Sequence, residues 1–301
     1  MMRGRDGELA AVTVPAEALA QALGRHPRYK VLRLADAARR NEPRQRNLSE
    51  LTVAVIDVET TGFDQREDAV IELGIQRIKV DESGRVVETG RTYNWLEDPG
   101  RPIPPEITRH TGISDADVAG RSIMDAEAFS LLSSADAILA HNAAFDRPFV
   151  DRRLELPPRP WICSLQDLDW SANGFECRKL GCLLHRCGGF HEPHRASDDV
   201  NALVKLLEHR LESGDTVMRQ LIRNASRPNW LIEAPETPFA LNAILRERGY
   251  GWDQVRRQRW RFLADEALVE AEISWLVNDV YAGSREPVVT RMTWRERYAL
   301  R

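Results

Sequence analysis

The sequence predicts an α/β protein: a mixed β-sheet flanked by helices, followed by a small α+β C-terminal domain. Three observations carry that expectation. Strand-like apolar runs alternate with helical patterns between residues 51 and 212. The first three strand-like runs are joined by short turns, whereas the later ones arrive through helices. Past residue 212 the composition changes: Pro228, Pro235 and Pro238 interrupt the chain, and five of the eight tryptophans fall between Trp230 and Trp294.

In chain order, residues 1–50 read as a helical, basic N-terminal extension. An apolar-periodic stretch runs from Leu9 through Leu23, and eight Lys or Arg lie between Arg25 and Arg46 against Asp36 and Glu42. Strand-like runs then cover 51–58, 69–79, 86–95 and 136–140, and helical ones 122–132, 143–154, 178–188 and 198–212. The turn Asp81-Glu82-Ser83-Gly84 makes the first three strands an antiparallel meander. Residues 213–237 read as a linker and 238–301 as the small module. There, Ala240, Leu241, Ile244 and Leu245 form a helical stripe stopped by Gly249. Tyr250-Gly251-Trp252 and Trp260-Arg261-Phe262-Leu263 then form a hairpin, and a last helix carries Leu268, Ala271, Trp275 and Val280.

With 301 residues, 43% hydrophobic and 29% charged, the chain can bury a full core. A formal charge of −4 argues against a wholly basic nucleic-acid binder, while leaving room for local patches such as the N-terminal run and Arg256-Arg257-Gln258-Arg259-Trp260-Arg261. No apolar window is long enough for a membrane span and the first residues lead into no signal-peptide core, so a cytoplasmic chain with no membrane partner is expected.

The densest chemistry lies in Val53-Ala54-Val55-Ile56-Asp57-Val58-Glu59-Thr60-Thr61-Gly62. On a strand Asp57 and Glu59 share one face, with Ala54, Ile56 and Val58 on the other. Two carboxylates roughly 4 Å apart repel by about 4 kcal/mol at a surface-like dielectric, which protonation or a cation must relieve. Oxygen-only ligands favour magnesium or manganese. Two more carboxylates fit. Asp146, in Ala140-His141-Asn142-Ala143-Ala144-Phe145-Asp146, falls on the first turn of a helix. So does Asp199, in His194-Arg195-Ala196-Ser197-Asp198-Asp199, with Ser197 as the expected N-cap.

Asp-x-Glu-Thr-Thr-Gly, His-Asn-x-x-Phe-Asp and a His five residues before Asp, in that order, resemble the DEDDh family of 3′-to-5′ exonucleases over residues 51–210. A sister branch has Tyr four residues before the last Asp; this chain has Arg195 there, so His194 aligns it with the histidine branch. The resemblance implies a ribonuclease-H-like sheet, two divalent cations held by Asp57, Glu59, Asp146 and Asp199, and His194 as general base. Thr60, Thr61, Gly62 and Phe63 would line the terminal-nucleotide pocket, with His141, Asn142 and Phe145 beside it. His141 and Asn142 fit equally a structural role at the mouth of the helix. Asp198 reads as helix capping or as a support behind the metal ligands. Ile107-Thr108-Arg109-His110-Thr111-Gly112-Ile113 also resembles a stretch of the family, His110 reading as structural.

Cys163, Cys177, Cys182 and Cys187, with His185, His191 and His194 nearby, invite a zinc reading. The order lacks paired two-residue cysteine knuckles, and a helix with Leu180, Leu183, Leu184 and Cys187 inward accounts for the spacing. A disulfide is not expected in a reducing cytoplasm.

In the C-terminal module, arginines interleaved with aromatics suit single-strand binding, whereas Trp252, Trp260 and Trp275 can instead fill a small core, the reading preferred here. The expected substrates are 3′ ends of single-stranded DNA or RNA, DNA first. The alternative is a proofreading-type subunit, similar to the epsilon subunit of a replicative DNA polymerase, working with a polymerase or repair complex.

Overall fold

The computed structural model describes residues 15–35, 40–41, 50–254 and 256–299. The described residues begin with α1 (Ala16–Gly24), β1 (Arg33–Leu34) and β2 (Arg40–Asn41), then the long strands β3 (Leu51–Thr60), β4 (Val70–Val80) and β5 (Val86–Leu96). Helices α2 (Pro105–Thr111), α3 (Asp115–Val118) and α4 (Asp125–Ser133) lead into β6 (Ala137–Ala140), α5 (Ala143–Leu154) and β7 (Trp161–Cys163). Next come α6 (Leu180–Arg186), β8 (Gly189–Phe190), α7 (Ala196–Leu207) and α8 (Val217–Ser226). The C-terminal part has β9 (Asn229–Pro235), α9 (Asn242–Glu247), β10 (Gly251–Asp253), β11 (Gln258–Leu263), α10 (Val269–Trp275) and β12 (Val288–Met292).

The main sheet has strand order β2-β5-β4-β3-β6-β7. It is antiparallel from β2 through β3 and parallel from β3 through β7, the mixed ribonuclease-H-like arrangement expected. Alternation along β3 feeds two cores. Val53 and Val55 pack against α6, α7 and α8 on one face, while Ala54, Ile56 and Val58 pack against α4 and α5 on the other. Asp57 and Glu59 continue the face on which α7 lies. At the strand end the register with β4 shifts between Glu59 and Thr60, the local kink of a β-bulge.

Helix α7 approaches β4 closely because Gly74 has no side chain. A Cβ built there would stand 2.7 Å from the carbonyl carbon and oxygen of Ala196. Gly74 is also the residue of β4 directly opposite Asp57. The expected N-cap Ser197 is instead inside the helix, which begins at Ala196 after Arg195. The reason is that a strand residue does the capping: the buried carboxylate of Glu72 accepts the Ala196 N–H at 2.9 Å.

Three further expectations are corrected. Residues 213–237 are no linker: α8 buries Val217, Met218, Leu221 and Ala225 in the first core, and β9 is an inner strand of the second sheet. Pro228 misled because it follows the end of α8, whose stripe is complete before it, and Pro235 sits at the end of β9. The chain after β12 does not belong to the small module alone. Trp294 packs into the first core, Tyr298 into the second, and buried Arg297 pairs with buried Asp167 at 2.9 Å. Finally, Cys177 and Cys182 form a disulfide, the turn before α6 bringing their Cα atoms to 6.4 Å.

At the N-terminus, α1 buries none of its residues, whereas β1 pairs in parallel with β8 and Ala35 enters the first core. Leu9 to Val14 of the apolar stretch, and Arg39, Arg44 and Arg46 of the basic run, lie outside the described residues.

The second sheet, β10-β11-β9-β12, is antiparallel, and β10 and β11 form the expected hairpin. Its own core uses Ile232, Ala234, Leu245, Tyr250 and Leu263, with Trp275 packed against it. Trp252 is 47% exposed, and neither it nor Trp260 joins that core, so the core-filling role expected for these two does not hold. The basic cluster is largely neutralised within the module: Arg256 pairs with Glu233, Arg261 with Glu272, and Arg259 is buried against Asn242.

The close contact at Gly74 yields a stability test. Gly74→Ala is expected to cost about 1–3 kcal/mol, read as a lower urea midpoint, because backbone must move to admit the methyl group. An unchanged midpoint would contradict the contact.

Candidate active site

Three elements meet at the C-terminal end of β3. β3 brings Asp57 and Glu59, and the first turn of α7 brings Asp199. One ligand oxygen from each lies within 4.8 Å of the others, the only such group of possible metal ligands among the described residues. The first turn of α5 brings Asp146, almost fully buried, whose Oδ1 accepts the Val58 N–H at 3.2 Å.

Position on α5 is set by its start. Asn142, at φ 76°, occupies the left-handed region that asparagine tolerates better than most residues. The Ala143 N–H is then received by the buried Cys163 sulfur at 3.3 Å. Burial pushes that thiol up to about 12, so Cys163 remains a neutral packing group. His141 meets Ser164 Oγ through Nδ1 at 2.8 Å, and desolvation pulls its pKa down to about 4. These contacts give His141 and Asn142 structural duties at the helix mouth.

Asp199 is fixed from both sides. His191 Nε2 lies 3.0 Å from its Oδ1, and the His194 backbone N–H donates to its Oδ2 at 2.8 Å. His194 itself has φ 68°, which turns the chain sharply just before α7, and its ring lies against His110 with centroids 3.7 Å apart. His110 therefore packs directly on the candidate base. Burial and the neighbouring His110 lower the His194 pKa from 6.5, Asp199 opposing, so the imidazole is neutral near pH 7.

The charge balance follows from burial. Desolvation first, then Asp146, Asp199, Glu59 and Glu72, raise the Asp57 pKa well above its ordinary value. Desolvation, then Asp199 and Glu72, push Glu59 up to about 8; desolvation above all lifts Asp146 to about 8. Such a donor set, all hard oxygen and short of positive charge, fits divalent cations that favour oxygen ligands.

Among the nucleotide-pocket candidates, Phe63 is 83% exposed, with Phe145, the residue before Asp146, 6.1 Å away and backed by Phe149. Thr60 donates to the Gly62 carbonyl at 2.6 Å. Thr61 is buried and committed to structure: it donates to Asp68, accepts the Ala69 N–H, and meets Arg101. Gly62 is required by the same network, since a Cβ there would stand 2.3 Å from Asp68.

Several residues escaped the sequence reading. Glu72 is fully buried, pairs with Arg195 at 2.8 Å, and accepts from Asn94 and Ala196. A glutamate inside the apolar run Val70-Ile71-Glu72-Leu73 was the available signal. His191 was noticed only as a possible zinc ligand, and Gln65, which donates to the Ala144 carbonyl at 2.7 Å, gave no signal.

The pH dependence has a definite sign. Glu59 and Asp146 have raised folded pKa values, so the folded chain holds protons that the unfolded chain releases. Their contribution is fully present below about pH 4 and is lost as the pH rises through about 8. In metal-free buffer, stability is therefore expected to fall over that window. Asp57→Asn should flatten the fall and raise the melting temperature at pH 8; a wild-type melting profile independent of pH would contradict the assignment.

The RNase_T family, described as Exonuclease, matches residues 54–207, just over half of the chain. A DNA polymerase III PolC-type of Clostridium perfringens is 29% identical over 161 residues, covering 51% of this chain and 11% of that protein. A Ribonuclease T of Shewanella baltica is 32% identical over 115 residues, covering 34% of this chain and 51% of that protein. The chain thus spans a small part of the one relative and about half of the other. Exonuclease X in complex with 5′ overhanging duplex DNA aligns with 22% identity and a TM-score of 0.40, over 57% of this chain and 99% of that one. With the matched residues containing Asp57, Glu59, Asp146, His194 and Asp199, the chain belongs to the RNase_T exonuclease family.

Proposed function

We propose that the chain is a metal-dependent 3′-to-5′ exonuclease that releases nucleoside 5′-monophosphates from single-stranded nucleic acid, DNA in the first instance. The observation that carries this reading is the convergence of Asp57, Glu59 and Asp199, with Asp146 alongside and a neutral histidine one turn before Asp199. Asp57, Glu59, Asp146 and Asp199 would hold two Mg²⁺ or Mn²⁺ ions. Bound ions of this kind supply a lowered pKa for the attacking water and a clamp for in-line displacement at phosphorus.

The chain's own residues supply the rest. His194 accepts the proton that the attacking water sheds, and its low pKa keeps it available to do so near neutral pH. Phe63 offers an exposed ring on which the terminal base can stack. Thr60 and Gly62 shape the backbone under that base, and Thr61 rigidifies it through Asp68 and Arg101. His191 orients Asp199.

We place the exonuclease domain over 51–212, with α8 and the chain end packed onto it. A proofreading-type role within a polymerase complex is the second reading, favoured by the similarity to a PolC-type polymerase. An RNA substrate is the third, favoured by the similarity to a protein named Ribonuclease T.

A gel time course on 5′-labelled single-stranded DNA and matching RNA, with magnesium or manganese, tests the proposal. A ladder shortening from the 3′ end is expected. His194→Ala should slow it by about 10²–10⁴-fold. Loss of the label as a mononucleotide in the first turnover would indicate the opposite polarity, and no cleavage of either substrate would overturn the reading.

A further inference from the structure

A cleft of about 700 Å³ opens between the main sheet's helices and the second sheet, and none of the residues assigned above accounts for it. One wall is the face of β11 that carries Trp260 and Phe262. Alternation explains why this face is open: Leu263, with Ile232 and Ala234 of β9, points to the helices α9 and α10, leaving Trp260 and Phe262 on the opposite side. The two rings sit edge to face, 5.5 Å apart. Gly251, paired opposite Trp260, lets the indole lie across β10, since a Cβ there would be 2.8 Å from the ring.

The other wall belongs to the exonuclease core and includes Ala144, two residues before Asp146 on the first turn of α5. The cleft thus reaches the first turn of the helix that carries Asp146. Its charge argues for one orientation of a ligand. Among the described residues, four carboxylates, Asp167, Asp169, Glu233 and Asp253, line it against the guanidiniums of Arg227 and Arg297. Asp167 is paired with Arg297 and Glu233 with Arg256, so the wall holds little positive charge to offer a phosphate. Aromatic faces, by contrast, stack on bases of any sequence, and carboxylates accept hydrogen bonds from base N–H groups.

We infer that this cleft binds unstacked bases of the substrate strand, on the 5′ side of the terminal nucleotide, with Trp260 and Phe262 as the stacking platform and the phosphates turned to solvent. The inference rests on the proposed exonuclease function and names where the strand goes after it leaves the carboxylates. It differs from the arginine-and-aromatic binding that is the alternative to core filling for the module, because Arg256, Arg259 and Arg261 are engaged internally.

The test uses the full chain carrying Asp57→Asn, so that the strand is bound and not consumed, and measures the affinity for fluorescein-labelled (dT)₁₂ by anisotropy in magnesium. Adding Trp260→Ala should weaken binding by about 5- to 150-fold, the equivalent of about 1–3 kcal/mol for one stacked base. That ratio should stay constant across salt concentrations, because no phosphate contact is lost. Trp260→Phe should restore most of the affinity. Equal affinities with and without Trp260→Ala would overturn the inference, as would a ratio that collapses at high salt. Should Trp260→Ala fail to fold, photocrosslinking of 5-iodouracil-substituted strand to the Asp57→Asn chain decides: adducts on Trp260 or Phe262 support the cleft, adducts confined elsewhere refute it. Cleavage of thymidine 5′-monophosphate p-nitrophenyl ester by the unaltered chain reports on the catalytic reading separately.

Discussion

The repulsion among four carboxylates gathered at one end of the sheet is the constraint on which the rest of the structure depends. Asp57 and Glu59 are forced onto one face by strand geometry, and Asp146 and Asp199 arrive on the first turns of two helices. The positions of Asp57, Glu59 and Asp146 are unfavourable for a bare charge away from water. Burial and mutual repulsion drive Asp57, Glu59 and Asp146 toward their protonated forms, and positive charge brought in from solvent is the other way to relieve the strain.

The scaffold resists the repulsion by tying each helix start to the sheet. For α7 the tie is Glu72, which caps Ala196, holds Arg195 and sits beside Gly74, where the missing side chain admits the helix backbone. Breaking such a buried, hydrogen-bonded charge pair leaves one partner uncompensated, which costs several kcal/mol in typical proteins. For α5 the ties are the Val58 N–H to Asp146 and the Cys163 sulfur beneath Ala143. Arg297 and Tyr298, after β12, add a further tie. Both reach Asp167, whose other oxygen accepts the Cys163 N–H, so the chain end is coupled to the strand that supports α5.

The fold was legible in the sequence wherever apolar periodicity was unbroken. The long strands β3 and β4 and helix α5 fall close to their expected bounds because each buries a nearly complete stripe or face, and β5 does so because short turns pin it beside β4. The site was legible because Asp57 and Glu59 obey strand alternation and Asp199 needs only to be near a helix start. Long-range roles were not. Glu72 belongs to Ala196 and Arg195 only once the chain has folded, and Gly74 reveals its purpose only when Ala196 lies against it. Helix α8 was hidden because Pro228 and Pro235 looked like breaks, when they mark ends of elements. The Cys177–Cys182 bond is not legible in the sequence because a five-residue spacing does not reveal the turn that brings the two Cα atoms to 6.4 Å. In the second sheet, the direction in which Trp260 points depends on which face α9 and α10 cover, which a pattern of tryptophans does not encode.

The central claim is that the folded chain holds Asp57, Glu59 and Asp146 partly protonated until a divalent cation neutralises them. The most direct measurement is the number of protons released when Mg²⁺ is titrated into the metal-free protein at pH 7 in weakly buffered solution. With Glu59 and Asp146 both raised to about 8, the account predicts release of at least one proton per chain at saturation. Binding of Mg²⁺ with no proton release would mean the carboxylates are already ionised in its absence, and would contradict the account.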